Sequence, residues 1–536
     1  MSTKLLIKKP KLPRKINGVD VWDYIIIGAG ITGLYAAHRI RQHADPSTRI
    51  LVLEAGCRIG GRMAMVDFHG VKIEPGAGIG RLEKDRALSG LLEELGIKWS
   101  EFPVSHNYSP VSYNSELTND GINPKKRILR LVGRDAQKID LPQPTPKLPT
   151  PDWIKKQVGK LRVAYKKNQA TTTFHAFAQK VLGRRGYKQL VLALGYTDYE
   201  KEDVAETLFN YGLDDLYSHW TGMGIDWQEL MDSLVEHSFA DIQLNIQAQQ
   251  ITWDPTTKYF TINTVKPDRV ITKSSQHGIT TQKRIPSSNK GKTLKTITHS
   301  PHKIPNLPTS NSIGCQSGIG LKLNNSARQQ EFRGRKVLIA TTIGPARELV
   351  SDFMTQQGLR VPVHLSGVAA QSFLRIYGHF TGANYEVMQK YCQHTQVVPG
   401  GYHRVIPMGS GDGGKSGVYM IVYTDNRAAD NLEHLHVNTT DNRQQLATGL
   451  KSALGIPAET SLEIAEILGY FWREGTHYYT PLNHRKFGTR DEFLAKVQRP
   501  MGTQGGLFLA GEAFSRQQGW TEGALESVDA VLGDLL

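Results

Sequence analysis

The chain has 536 residues, which is too long for one core of ordinary domain size, and it contains no apolar run near the ~20 residues of a membrane-spanning helix. A net charge of +15 is compatible with polyanion binding, but much of it lies in the amino-terminal tail and two polar segments, so nucleic-acid binding is not expected. Three scattered cysteines, Cys57, Cys315 and Cys392, argue against a disulfide framework or a CxxC metal site.

The first 18 residues are basic and lack both an apolar stretch of signal-peptide length and a small-residue cleavage pattern. They are predicted to form a flexible tail. A cytoplasmic location is the default expectation, and the sequence does not indicate an oligomeric state.

A dinucleotide-binding motif follows the tail. Residues 24–27 predict a buried strand, which runs into Gly28, Gly30 and Gly33 before apolar residues recur at helical spacing. Gly28 permits the tight turn, Gly30 lets the backbone approach a pyrophosphate, and Gly33 lets the helix pack closely on the strand. The phosphates would then lie at a helix N-terminus, where free N–H groups favour negative charge.

A second predicted strand, residues 49–54, ends in an acid 21 residues after Gly33. At this distance the Glu54 carboxylate can accept hydrogen bonds from the ribose hydroxyls of an adenosine. Ile31 and Thr32, at the start of the helix, are assigned to the same site.

The residues after this acid indicate which dinucleotide is bound. The sequence EAGCRIGGR, residues 54–62, resembles the LEAxxRxGGR stretch of the flavin-containing amine oxidase family, which includes monoamine, polyamine and L-amino acid oxidases. The resemblance implies FAD as cofactor. Glycines let the backbone pass close to a ligand, and the two arginines can neutralise a diphosphate with forked hydrogen bonds. The cofactor site therefore includes Ala55, Arg58, Gly61 and Arg62.

A glycine-rich stretch, EPGAGIGR at residues 74–81, resembles the ELGA stretch of the family. In amino acid oxidases an arginine shortly after it binds the substrate carboxylate, for which a guanidinium fork has the right shape. Arg81 is predicted to have this role, although it lies two residues beyond the expected position. A phosphate-binding or surface role is the alternative.

Two central strands are predicted to return the chain to the nucleotide domain. Residues 242–251 alternate between polar and apolar, and resemble the family strand whose backbone pairs with adenine, with Ala248 where the family often has valine. Residues 336–345 resemble the VIxTxP strand of the family.

Further on, residues 371–374 read QSFL and resemble the strand pattern K-[IV]-F-L, in which lysine holds a water near flavin N5 and is associated with oxygen reactivity. Gln371 occupies the lysine position, which puts rapid reaction with oxygen in doubt.

The segment FWREGTHYYTP, residues 471–481, resembles one side of the aromatic substrate cage of the family. Thr476, His477 or Tyr478 could face the flavin, and His477 could act as a base or be structural. Monoamine oxidases attach FAD through a cysteine in this segment, where this chain has about Gly475. Non-covalent FAD is therefore expected.

The carboxyl end resembles the family's flavin-binding strand and the helix start after it. The segment LFLAGEAF, residues 507–514, is similar to LYFAGEAT, and GWTEGALES, residues 519–527, is similar to G-[YW]-xx-GAxxS. These matches assign Gly511, Glu512, Gly519, Trp520 and Thr521 to the cofactor site. Trp520 also occupies the position of a substrate-cage aromatic, where L-amino acid oxidases tend to have Trp and monoamine oxidases Tyr.

The predicted fold class is α/β: a Rossmann-like FAD-binding domain of the GR2 type, assembled from discontinuous segments, with an inserted α+β substrate-binding domain. The predicted FAD-binding segments are 19–105, 236–265, 331–347 and 471–536. The substrate segments are 106–235 and 348–470, and residues 266–330 form a polar low-complexity insertion.

The resemblance implies oxidation of an amine or L-amino acid by hydride transfer from the carbon next to the amine to flavin N5. This reaction gives an imine and, with molecular oxygen, hydrogen peroxide. The alternatives are an FAD-binding protein with lost or altered oxidase activity and a related polyamine oxidase or dehydrogenase. No metal is expected in the site.

Overall fold

The computed structural model describes residues 15–16, 19–104, 107–108, 150–216, 218–266, 329–398, 401–481 and 488–536. The predicted basic tail and polar insertion lie almost entirely outside these ranges. The helices are α1 Ile31–His43, α2 Arg86–Leu95, α3 Pro151–Asn168, α4 Phe174–Leu194, α5 Val204–Phe209, α6 Trp227–Ser238, α7 Ile343–Gln356, α8 Gly382–Tyr391, α9 Asn426–Leu432, α10 Thr440–Leu454, α11 Arg490–Gln498 and α12 Thr521–Leu535. Over the ranges described, none of the helices combines the length and apolar composition that crossing a bilayer requires.

The strands form two large sheets, a three-stranded sheet and a hairpin. They are β1 Lys15–Ile16, β2 Val19–Ile27, β3 Ile50–Glu54, β4 Val66–Phe68, β5 Val71–Ile73, β6 Gly80–Arg81, β7 Trp99–Val104, β8 Asn107–Tyr108, β9 Trp220–Ile225, β10 Asp241–Leu244, β11 Gln247–Asp254, β12 Tyr259–Val265, β13 Gln329–Ile339, β14 Val368–Thr381, β15 Gln396–Val398, β16 His403–Gly411, β17 Ser416–Asp425, β18 Glu466–Tyr479 and β19 Leu507–Leu509.

The nucleotide-binding sheet has eight strands in the order β10-β3-β2-β13-β12-β11, with β1 paired to β2 and β19 paired to β13. The pairs among β10, β3, β2, β13 and β19 are parallel, and their central strands are apolar runs because helices cover both faces. Helices α1, α2, α6 and α12 share one core with this sheet, and α7 and α11 share the other. The predicted fold class, with its discontinuous nucleotide domain, is confirmed.

The second sheet has six strands in the order β18-β14-β17-β16-β15-β8. Helices α8, α9 and α10 cover one face, where Leu374 and Ile376 of β14 are buried. On the other face, Tyr377 packs against the β4–β5 hairpin. Because side chains alternate along a strand, β14 directs residues 371, 373 and 375 away from the helices and toward the nucleotide-binding domain.

The structure moves several predicted boundaries. Helix α6, most of which was predicted to belong to the substrate domain, packs on α1 through Trp227, Leu230 and Leu234. Residues 471–479, predicted as nucleotide domain, belong to β18 and pair with β14 in the substrate sheet. The strand predicted at 242–251 is two strands, β10 and β11, because the chain turns at Asn245, whose φ is 58°.

The cysteines differ in state. Cys57 is disulfide-bonded, which the sequence argument against a disulfide framework did not predict. Cys392 is a free thiol buried in the core of the substrate sheet, where burial raises its pKa to about 12. An inert, structural role follows for Cys392.

Candidate cofactor and active site

Three glycines form the turn between β2 and α1. Gly28 has φ +111°, and a Cβ on it would lie 2.5 Å from the Ala340 carbonyl oxygen. A Cβ on Gly33 would lie 1.9 Å from the Gly28 oxygen, so α1 packs directly on the turn. At Gly30, by contrast, an added Cβ meets nothing within 4 Å, and no side chain caps the helix that begins there. The turn is therefore an open cradle of backbone N–H groups, which fits a pyrophosphate.

A second pair of glycines lies against this cradle. Gly60 forms a parallel bridge with Gly30, and a Cβ on Gly61 would lie 3.3 Å from the Gly30 Cα. Arg58 was predicted to contact the diphosphate. In the structure its guanidinium binds the glycine loop instead and donates to the carbonyls of Gly61 at 2.5 Å and Met63 at 3.1 Å. In the structure Arg58 thus shapes the glycine loop.

Glu54 lies at the end of β3, beside the glycine turn. Its carboxylate accepts hydrogen bonds from the N–H groups of Ala29 at 2.8 Å and Gly56 at 2.7 Å. Burial raises the pKa of Glu54, although these two donors oppose the shift. The N–H of Ile246 bonds to the Glu54 carbonyl at 2.9 Å, which brings the start of β11 and Ala248 to the same edge of the sheet.

Glu512 is the centre of a buried hydrogen-bond network. Its carboxylate accepts from Arg62 at 2.8 Å, from His477 Nδ1 at 2.7 Å, and from the backbone N–H groups of His477 at 2.9 Å and Gly519 at 2.7 Å. Burial alone would raise the pKa of Glu512, but His477 and Arg62 outweigh it and hold the pKa well below its usual value. The network joins the glycine loop, β18 and the start of α12.

His477 uses both of its ring nitrogens within the protein. Nδ1 lies against Glu512, while Nε2 lies 3.2 Å from the backbone N–H of Ile343 and accepts its hydrogen bond. Nδ1 therefore faces the carboxylate, and Nε2 faces a backbone donor. Neither nitrogen is available to a substrate, which favours the structural alternative over a catalytic base.

Gly511 lies between the first turn of α1 and helix α12. This residue has φ +136°, and its N–H donates to Ser527 Oγ of α12 at 2.7 Å. A Cβ on it would lie 3.8 Å from Thr32 Oγ1, in the first turn of α1. The neighbouring Ile31 and the first residue of α12, Thr521, are also buried. The N-termini of α1 and α12 therefore converge on one region.

Arg81 is not available to a substrate carboxylate. Its guanidinium binds Asp85 Oδ1 at 2.8 and 2.6 Å, Gln517 Oε1 at 2.6 Å and Asp215 at 3.5 Å. It also stacks on the Trp520 ring, with Cζ 3.9 Å from the ring centroid. Since the side chain is 3% exposed and already ion-paired, the geometry contradicts the predicted carboxylate contact.

Gln371 lies on β14 next to the start of α12. Its Nε2 donates to Thr476 Oγ1 at 3.0 Å, and Thr476 Cγ2 lies 3.8 Å from where a Cβ on Gly519 would be. The amide oxygen of Gln371 is buried without a partner among the residues described. The structure therefore brings Gln371 and Thr476 together beside Gly519, the residue before Trp520.

Sequence reasoning missed a clamp on the segment after β5. Arg375 and Tyr377 both donate to the carbonyl oxygen of Glu74 at 2.6 Å, and Trp472 Nε1 donates to that of Pro75 at 2.8 Å. Residues 375 and 377 continue the alternation that begins at Gln371, which is the signal that could have identified them. The clamp fixes the glycine-rich stretch to the substrate sheet.

Comparisons with known proteins address the family. Residues 26–95 match the model described as an NAD(P)-binding Rossmann-like domain. Polyamine oxidase 1 of Oryza sativa subsp. japonica is 43% identical over 53 residues, which cover 10% of each protein, so the chain matches only a tenth of this relative's length. A structure of putrescine oxidase bound to putrescine has a TM-score of 0.58 at 13% identity, covering 96% of this chain and 99% of the other. Cyclohexylamine oxidase from Brevibacterium oxydans has a TM-score of 0.57 at 14% identity, with coverages of 96% and 99%.

The resemblance to the flavin-containing amine oxidase family is confirmed. At these identities the solved structures show a shared fold, whereas the curated relatives match in sequence only over short stretches. The fold that this chain shares with these solved structures therefore extends over nearly its whole length.

Gly475 stands where the sequence comparison with monoamine oxidases puts the cysteine that attaches FAD in those enzymes. Gly475 lies in β18, where its carbonyl accepts from Arg62 at 2.8 Å. A Cβ there would lie 2.8 Å from Phe373 Cβ, so a larger residue would require a shift of β14. Cys57 is disulfide-bonded and Cys392 is buried in a separate core, which leaves no free thiol at this position in the part of the chain described.

Proposed function

We propose that this protein is an FAD-dependent oxidoreductase that oxidises an amine at the carbon next to the nitrogen. The observation that carries the proposal is the convergence of the open Gly30 cradle with the Glu512 network. A helix N-terminus with no side-chain cap and room for a Cβ at Gly30, flanked by Glu54 and by Arg62, suits a diphosphate joined to a ribose.

Each residue of the site has a role toward the cofactor under this proposal. The N–H groups at Gly30, Ile31 and Thr32 would bind the pyrophosphate, and Glu54 the ribose of the adenosine. The N-terminus of α12 at Thr521 would stabilise negative charge on the flavin ring. Bound FAD supplies the electron acceptor for the amine carbon, so the protein needs mainly to orient that carbon and exclude water.

The Glu512 network positions these parts. Its carboxylate binds Arg62 and the backbone N–H of Gly519. His477, which also binds the carboxylate, accepts a hydrogen bond from the backbone N–H of Ile343 at the start of α7. A buried carboxylate with four donors is rigid. We assign His477 to this network as a positioning residue.

The proposed substrate class rests on the ion pairs of the Arg81 guanidinium. With Arg81 paired to two carboxylates, it offers no site for a third, so an amine without a carboxylate fits better than an L-amino acid. The names of the relatives and structural neighbours, which refer to polyamine, putrescine and cyclohexylamine, agree with this choice. Trp520 and Thr476 would contact the amine-bearing carbon.

The deciding experiment is anaerobic reduction of the purified, FAD-loaded protein. Monoamines, diamines and L-amino acids are added separately, and the visible flavin absorbance is followed. Bleaching by an amine but not by the amino acid of matching side chain would support the proposal. Bleaching by amino acids alone would contradict the substrate class, and no bleaching across the panel would contradict amine oxidation.

A second candidate, an FAD-binding protein with lost or altered oxidase activity, is favoured by one observation. Gln371 stands at the position where the family's oxidases have lysine, and its amide is held by Thr476. In this case the flavin would be reduced slowly or would pass its electrons to an acceptor other than oxygen.

Gln371→Lys is expected to raise the rate of reoxidation by oxygen about tenfold, because a positive charge near the flavin stabilises superoxide-like charge. The measurement is stopped-flow mixing of the photoreduced protein with oxygen, together with peroxide yield. Gln371→Met, which has similar length without the charge, is the matched control and should not accelerate reoxidation. An equal rate for both variants would contradict a role of the missing charge.

FAD is expected to leave the protein on acid precipitation. Since no free thiol lies beside Gly475 in the described chain, the supernatant should contain the flavin and the pellet should be colourless. Flavin that stays with the denatured polypeptide in electrophoresis would contradict non-covalent binding.

A further inference from the structure

Arg81, which is buried, stacks on the half-buried Trp520 at the edge of the proposed active site. The guanidinium carbon lies 3.9 Å from the Trp520 ring centroid, so it covers one face of the indole. The Trp220 ring lies nearly perpendicular to the same ring, with 6.3 Å between the centroids, and its own Nε1 donates to the Asp215 carbonyl at 3.0 Å. The Trp520 ring is therefore in contact with a cation on one face and with a second, perpendicular indole.

The guanidinium itself cannot move easily. Asp85, which is fully buried, accepts from both Nε and Nη2 of Arg81 and also from its backbone N–H at 2.7 Å. Gln517 accepts from Nη2, and Asp215 lies 3.5 Å from Nη1. A buried charge held by several hydrogen bonds is fixed in one geometry, since any rotation would leave a charged group unpaired.

The backbone of Trp520 is held independently of its ring. Gly519, with φ +82°, donates its N–H to Glu512, and α12 begins at Thr521, the residue after Trp520. These contacts place the Cα of Trp520 but leave its side-chain torsions undetermined. The ring itself contacts Arg81 and, in a perpendicular arrangement, Trp220.

We propose that Arg81 is a positioning residue that fixes the orientation of the Trp520 ring, which in this orientation forms a wall of the substrate site. The part of this inference that concerns substrate depends on the proposed function. Its physical core, that Arg81 sets the orientation of Trp520, does not. The role differs from carboxylate binding, because the guanidinium acts on the ring and never reaches the substrate.

The orientation of the ring can be measured without substrate. In protein labelled with 5-fluorotryptophan, the ¹⁹F resonance that disappears in Trp520→Phe belongs to Trp520. Arg81→Lys keeps a cation but loses the planar face, and is expected to shift or broaden this resonance. Arg49→Met is the matched control, because Arg49 stacks on Trp22 at 4.1 Å at the opposite end of the sheet. It should alter only the Trp22 signal.

A double-mutant cycle tests the consequence for binding. Arg81→Lys should weaken binding of a reducing or inhibitory amine about tenfold in the FAD-loaded protein, measured by flavin difference spectra. In a Trp520→Ala background the same change should have almost no further effect, because the residue acts through the ring. Additive losses would overturn the positioning role, as would an unchanged Trp520 resonance.

A loss of folding is separated from a loss of position by a second variant. Arg81→Met leaves Asp85 buried without a cation, so it is combined with Asp85→Asn and compared with Asp85→Asn alone. The pair should differ in the Trp520 resonance while both retain FAD. If the wild type is reduced by no amine, the proposed function fails, but the resonance measurements still decide the role of Arg81.

Discussion

Gly30→Ala is expected to lower FAD affinity by at least ~100-fold while leaving the apoprotein's free energy of unfolding nearly unchanged. Gly30 has φ −75° and ψ −178°, a conformation that alanine adopts without strain, and an added methyl group meets no protein atom within 4 Å. The methyl group would instead occupy the space where the pyrophosphate approaches the backbone. Isothermal titration of apoprotein with FAD and chemical denaturation measure the two quantities.

Two other glycines serve as controls for this prediction. Gly33→Ala should destabilise the apoprotein itself, because its Cβ would lie 1.9 Å from the Gly28 oxygen. Gly90→Ala, in the interior of α2 with open space around it, should stabilise the helix by up to ~1 kcal/mol and leave FAD binding unchanged. If Gly30→Ala retains wild-type affinity, the pyrophosphate is not bound at this turn.

Glu512→Gln is expected to lower the free energy of unfolding by about 3 kcal/mol and to weaken FAD binding at least ~10-fold at neutral pH. The amide keeps the shape of the side chain but removes the charge that Arg62 faces, and its NH₂ group cannot accept hydrogen bonds from the remaining donors. Denaturation with urea and FAD titration measure the two losses. Glu206→Gln, which breaks a buried pair with Arg490, is the matched control and should reduce stability without the same loss of FAD affinity.

The stability difference between wild type and Glu512→Gln should depend on pH. The pKa of Glu512 is lower in the folded protein than its ordinary value near 4.5, so the folded state binds the proton more weakly than the unfolded state. The stabilisation is therefore complete above about pH 4.5 and is lost as the pH falls toward the folded-state pKa. A difference that stays constant as the pH is lowered from 5 to 3 would contradict the charged network.

Much of the fold was accessible to sequence reasoning because its signals are local. The strand, glycine turn and helix around Gly30 occupy consecutive residues, and the acid at the end of β3 follows at a fixed distance. The boundary errors arose where one element serves two domains. Apolar periodicity predicted helix α6 but could not show that it packs on α1, and the sequence of β18 does not show that its carboxyl half pairs with β14.

In the candidate site, too, the sequence indicated residue types but not the contacts that those residues make. Residue type suggested that Arg81 would bind a carboxylate and that His477 could act as a base, because a guanidinium and an imidazole can serve either a ligand or the protein. Only the fold brings Asp85, four residues along the chain, and Asp215 from a distant segment to the guanidinium. It likewise places Glu512 beside the imidazole.

The sequence alone determined the nucleotide-binding framework, since glycines that permit positive φ and close backbone approach are recognisable one residue at a time. It also identified the residues that converge, including Arg62, Glu512 and Trp520. The tertiary structure decided what those residues contact. The state of a buried charged or polar group depends on partners hundreds of residues away, as in the 450-residue separation between Arg62 and Glu512.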